Sequence, residues 1–131
     1  MPAPEPNRGW IKKFADAFRG VALGVRGQSS FYVHFVMTAA VIAVAAFVRV
    51  TWVEWCLLVL CITLVLTAEM FNSALEFMAR AVDREHNPDL GAALDIGSAA
   101  VLVASIGAVV IGVLILGLRI GAMLQWWPEM L

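Results

Sequence analysis

From Trp52 to Glu76 the chain reads WVEWCLLVLCITLVLTAEMFNSALE. Its first part, Trp52–Ala68, is apolar with scarcely a charge and approaches the roughly 20 residues that cross a bilayer. Two further stretches have the same character, Phe31–Val48 and Ile96–Leu118. Of 131 residues, 62% are hydrophobic, against about 45–50% in ordinary soluble domains. A soluble fold this small could not bury so much apolar surface, so the bilayer is the expected solvent. Backbone amides in lipid must be paired within their own segment, and the runs show no alternation, so helices are expected rather than a β-barrel. The expected fold class is all-α integral membrane, with a surface helix followed by three transmembrane helices.

From Trp10 to Val25 the residues Trp10, Phe14, Ala17, Phe18, Val21 and Val25 recur at three- and four-residue spacing, with Lys12, Lys13, Asp16 and Arg19 on other faces. That pattern predicts an amphipathic helix lying on the membrane. Gly24, Gly27, Gln28, Ser29 and Ser30 predict a bend before the first span. Residues 1–8, with three prolines, are expected to be a disordered leader. Residues 9–122 should form one membrane domain, with a surface helix over 9–26 and spans over about 30–48, 52–79 and 92–119; residues 123–131 form a tail. The charges in the first 30 residues argue against a cleaved signal peptide. Arg8, Lys12, Lys13, Arg19, Arg26, Arg80 and Arg84 mark one side and only Arg49 and Arg119 the other. The N-terminus and the 80–91 loop are therefore expected in the cytoplasm. Trp52, Trp55, Trp126 and Trp127 fit an outer interfacial belt. Cys56 and Cys61 read as small core residues, neither disulfide partners nor metal ligands. A net charge of −1 gives no reason to expect a nucleic-acid partner.

A mere anchor would stay apolar, yet Glu69, Asn72, Ser73, Glu76, Arg80 and Asp83 fall at offsets 0, 3, 4, 7, 11 and 14, one stripe of an α-helix. The two glutamates face the same way, about 10 Å apart at 1.5 Å per residue. A charged carboxylate at the centre of a spanning helix costs at least about 2.5 kcal/mol, so such groups face a partner, a polar interior or a water-filled cavity. Asp95 and Ser98 share a face at the start of the third span, where a run of Gly and Ala permits close helix approach. Asp95 alone could be only a helix-start charge. With Glu69 and Glu76 it gives three carboxylates at similar depth, and Mg²⁺ characteristically takes one or two protein carboxylates together with phosphate oxygens. A nucleotide site at the membrane surface is consistent with this, although no P-loop or soluble-kinase signature is present.

Glu69-(x)2-Asn72-Ser73-Ala74-(x)1-Glu76, then Val82-Asp83, His86 and Asp95-Ile96-Gly97-Ser98-Ala99-Ala100-Val101-Leu102, resembles the small bacterial diacylglycerol kinase family, which includes undecaprenol kinases. The likeness runs from about Phe14 to Leu118 and includes Phe18-Arg19-Gly20 and Phe31. It implies a homotrimer in the bacterial inner membrane, with active sites at subunit interfaces. It also implies transfer of the γ-phosphoryl of Mg-ATP to diacylglycerol, giving phosphatidic acid. By that resemblance Glu69 is the general base and Glu76 binds Mg²⁺. Asn72, Glu85, His86, Asn87 and Asp95 surround the nucleotide, and Ser30, Phe31, Tyr32, Val33, His34 and Ser98 contact the lipid, as does Glu69.

Two positions depart from the family pattern. Gln28 stands where a second metal-binding glutamate is usual, and Leu94 where a lysine meets the phosphates. Both belong to the expected nucleotide and metal set by position. Asp16 replaces an aromatic residue of the surface helix. Arg26, two residues before Gln28, and Arg80, one turn after Glu76, are the candidate cations to replace the lysine. Three alternatives to a diacylglycerol kinase stay open: an undecaprenol kinase, an impaired member that binds lipid or nucleotide without turnover, and a small transporter using Glu69 as a proton-coupled carboxylate.

Overall fold

The computed structural model describes residues 9–26, 29–82 and 87–124, and within them the chain forms α1 (Trp10–Val25), α2 (Ser29–Phe47), α3 (Trp52–Val82) and α4 (Pro88–Met123). The expected leader, Gln28, Asp83–His86, Trp126 and Trp127 lie outside the described residues. No strand occurs among the described residues, and α2, α3 and α4 are each long and apolar enough to cross a membrane. With 31 and 36 residues, α3 and α4 are about 46 and 54 Å long, well beyond a hydrocarbon core of about 30 Å. α3 continues three residues past the expected span, and α4 starts four earlier and ends four later. Hydropathy locates where a helix leaves lipid, whereas its backbone hydrogen bonds continue until a capping residue stops them.

Those stops are built locally. α2 ends in a Schellman turn: Arg49 adopts φ 53°, its N–H donates to Ala46 O at 3.3 Å, and Val50 N–H donates to Ala45 O at 3.2 Å. Val50 and Ala45 then bury together, the hydrophobic contact this turn normally carries. Two residues later α3 starts with a capping box. Thr51 Oγ1 accepts from Glu54 N–H at 3.4 Å, and Glu54 Oε2 accepts from Thr51 N–H at 2.6 Å. α4 begins at Asn87, whose Oδ1 accepts from the N–H groups of Asp89 (3.0 Å) and Leu90 (3.2 Å), followed by Pro88 in the first turn.

α3 and α4 run antiparallel. Glu54 at the start of α3 meets Arg119 near the end of α4, and Asn72 toward the other end of α3 meets Gly97 near the start of α4. Ala45, Val48, Val50, Leu58 and Ile115 form the packed core at the Glu54–Arg119 end. Elsewhere large apolar side chains such as Phe71, Leu102 and Val103 stand exposed, as expected of surfaces solvated by lipid. The reading of both cysteines as core residues is corrected. Cys61 is half-buried, but Cys56 is exposed, since five residues carry it to a different face of α3.

Candidate active site

The polar stripe of α3 is graded in depth. Glu69 and Ser73 are buried, at 3% and 2% exposure, Asn72 and Glu76 are half-buried, and Arg80 is exposed with its guanidinium 4.5 Å over the Phe77 ring. Counted from Trp52 at 1.5 Å per residue, Glu69 lies about 26 Å along the helix and Glu76 about 36 Å. Were a core of about 30 Å to begin at Trp52 with the helix upright, the first would fall just inside the hydrocarbon and the second beyond it. No ion pair or hydrogen bond engages Glu69 among the described residues.

Glu76 is held differently, with its Oε1 accepting from Asn72 Nδ2 at 3.2 Å. That bond turns Asn72 Oδ1 inward against Gly97, where it is buried without a partner. α1 reaches the same region through Gly24, its one buried residue, which sits against the Met70 thioether beside Glu69. Among the described residues no three His, Cys, Asp or Glu side chains converge on one point. Mg²⁺ takes only one or two protein carboxylates when phosphate and water complete its six ligands, and the half-buried Glu76 is a carboxylate that could supply one.

The remaining expected positions are spread around this stripe. Phe31 is buried, Ser30 and Tyr32 are exposed, and Val33 and His34 line an apolar groove of about 520 Å³ between α2, α3 and α4. Val65 and Leu66, one turn or less from Glu69, line the same groove. On α4, Asp95 and Ser98 are exposed and Leu94 is half-buried. Asn87 spends its carboxamide oxygen on capping α4. Gln28, Glu85 and His86 lie outside the described residues. The sequence reading gave no role to Glu54, took Arg119 only as an outer charge and Gly24 only as part of a bend, and placed Gly97 in a run of small residues without its partner. Glu54 carried a local signal that went unused, the Thr51-x-x-Glu54 capping-box spelling.

A burial gradient from a dry to a wet carboxylate on one helix, above an apolar groove, is the setting in which residues 15–116 match the family described as prokaryotic diacylglycerol kinase. The chain belongs to that family. It is similar to the undecaprenol kinase of Bacillus subtilis (strain 168), 31% identical over 111 residues that cover 85% of this chain and 89% of that protein. It is similar also to the diacylglycerol kinase of Escherichia coli (strain K12), 30% identical over 100 residues, covering 76% of this chain and 82% of that protein. The diacylglycerol kinase of Shigella flexneri matches to the same extent. The family comprises lipid kinases of prokaryotes, and membership fits three helices able to cross a membrane.

Proposed function

We propose that this chain transfers the γ-phosphoryl group of ATP to the hydroxyl of a membrane lipid, with diacylglycerol as acceptor and phosphatidic acid as product. The observation that carries the reading is Glu69: a carboxyl almost fully buried, free of hydrogen bonds and ion pairs among the described residues, one turn from an apolar groove. Glu69 takes the proton of the lipid hydroxyl. The freed oxygen attacks the γ-phosphorus, the bond to the bridging oxygen breaks, and ADP leaves. Glu76, oriented by Asn72, would hold Mg²⁺, which when bound neutralises phosphate charge. The groove beside Val33 and His34 suits hydrocarbon, as its lining is almost wholly apolar. Among the expected nucleotide contacts, Asp95 stands exposed near the start of α4, and Arg80 is an exposed cation one turn after Glu76.

The exposed stripe Trp10, Phe14, Phe18 and Val21 of α1 supports a helix lying in the cytoplasmic leaflet of the bacterial inner membrane, with the wet end of the site facing cytoplasmic ATP. Association as a homotrimer, the state the resemblance implies, belongs to the same proposal. A second reading, an impaired member, is favoured by Leu94, a half-buried apolar side chain where a phosphate-binding lysine is usual. Undecaprenol is the competing acceptor.

Labelled ATP offered to purified protein in mixed micelles with diacylglycerol and undecaprenol side by side tests all of this. Transfer to diacylglycerol is expected. Transfer to undecaprenol alone changes the acceptor, and transfer to neither removes the kinase reading. Glu69→Gln should lower kcat by about 10²–10⁴-fold while nucleotide binding persists, and Glu76→Gln should weaken Mg²⁺-dependent nucleotide binding itself.

A further inference from the structure

Gly97 is buried on α4, and the position a Cβ would take lies 2.7 Å from Asn72 Oδ1 and 2.9 Å from Leu75 Cδ1. Side chains in folded proteins do not tolerate such approaches, so any other residue displaces its neighbours. The Leu75 methyl can swing aside. The Asn72 carboxamide is less free, because its Nδ2 is bonded to Glu76 Oε1. With the Asn72 NH₂ given to Glu76, the other end of the same planar amide, its oxygen, faces Gly97. A buried carbonyl oxygen without a conventional partner is rare in folded proteins. Here it is tolerated because glycine puts a hydrogen where other residues have a carbon, which leaves both room and a weak C–H donor.

We propose that Gly97 is a positioning residue for the cation side of the site. By seating Asn72 Oδ1 in the space of its missing Cβ, it keeps Asn72 Nδ2 on Glu76 and so fixes how the Glu76 carboxylate is presented to a magnesium-bound nucleotide. Asn72 accordingly works as a donor to Glu76, and its own oxygen is not a metal ligand. The inference rests on the kinase reading for the role of Glu76, while the seat itself is a property of three side-chain positions.

The test is a double-mutant cycle read by binding, with a fluorescent ATP analogue titrated against Mg²⁺ on detergent-purified full-length protein. Gly97→Ala should raise the Mg²⁺ concentration for half-maximal nucleotide binding at least about tenfold. In an Asn72→Ala background the same change should cost less than about twofold, since the group it displaces is gone. Gly107→Ala, where a Cβ meets nothing within 4 Å, is the control for simply adding a methyl to α4 and should behave as the parent. A loss of binding from Gly97→Ala that is equal in both backgrounds, or no loss in either, overturns the proposal. Oδ1 coordinating the metal directly would appear as Asn72→Asp binding Mg²⁺ more tightly than the parent, which also overturns it. A parent that binds no nucleotide at any Mg²⁺ concentration removes the kinase reading, and this role for Gly97 falls with it.

Discussion

Arg119→Ala should destabilise the helix bundle by about 2 kcal/mol, and Glu54→Ala by about 3 kcal/mol. Arg119 Nε donates to both Glu54 oxygens, at 3.0 and 3.1 Å, and its NH2 nitrogen to Oε2 at 2.8 Å, a fork-to-fork pair. Breaking a fully buried pair costs about 3–5 kcal/mol and an exposed one about 0.2–1 kcal/mol. These side chains are 19% and 20% exposed, which places the pair between those limits, near 2 kcal/mol. Glu54 also closes the capping box with Thr51, worth about 1 kcal/mol more, and that share is lost only when the glutamate goes. The order Glu54→Ala, then Arg119→Ala, then Thr51→Ala follows. The double change Glu54→Ala with Arg119→Ala should be no worse than Glu54→Ala alone, since it leaves no lone charge behind. Equilibrium unfolding in mixed micelles at rising dodecyl sulfate fraction, followed by helicity, reads all four. An Arg119→Ala protein within about 0.5 kcal/mol of the parent, or one less stable than Glu54→Ala, would show that the pair is not what ties α3 to α4.

Arg49→Gly should stabilise the fold by about 0.5–1 kcal/mol in the same assay, because it relieves a left-handed residue at the Schellman turn; a loss of stability would mean that the arginine side chain contributes more than its backbone costs. Asn87→Ala should cost about 1 kcal/mol through the α4 cap, with Asn87→Ser recovering most of it. If the serine variant regains stability but not nucleotide affinity, Asn87 also touches the nucleotide. Gly112→Leu, at a position where a Cβ meets nothing within 4 Å, should fill the apolar groove and raise KM for the lipid several-fold without changing KM for Mg-ATP. Equal KM values for parent and variant would place the lipid chain elsewhere. In a protein freed of Cys56 and Cys61, Asp89→Cys should resist an impermeant thiol reagent added outside intact cells, and labelling there would invert the topology.

The sequence by itself determined the helices and the nature of their surroundings. Apolar runs of spanning length leave the backbone no other way to satisfy its amides in lipid, and the 3.6-residue period alone puts Glu69, Asn72, Ser73 and Glu76 on one stripe. The position of Glu69 farther from the Arg80 end than Glu76 could be anticipated too, because distance along a helix is simply a count of residues. What the sequence left open is rotation and partnership. α2 and α4 are apolar around most of their length, so their composition does not tell how each is rotated against α3. Only packing shows that Gly97, rather than Gly91 or Gly107, meets Asn72, that Cys61 turns inward while Cys56 does not, and that Gly24 is where α1 rests on Met70. The pairing of Glu54 with Arg119 joins residues 65 apart in the chain. Such contacts are decided when two helices settle against each other, through side-chain shape and charge at the crossing, and no periodicity within either helix encodes them.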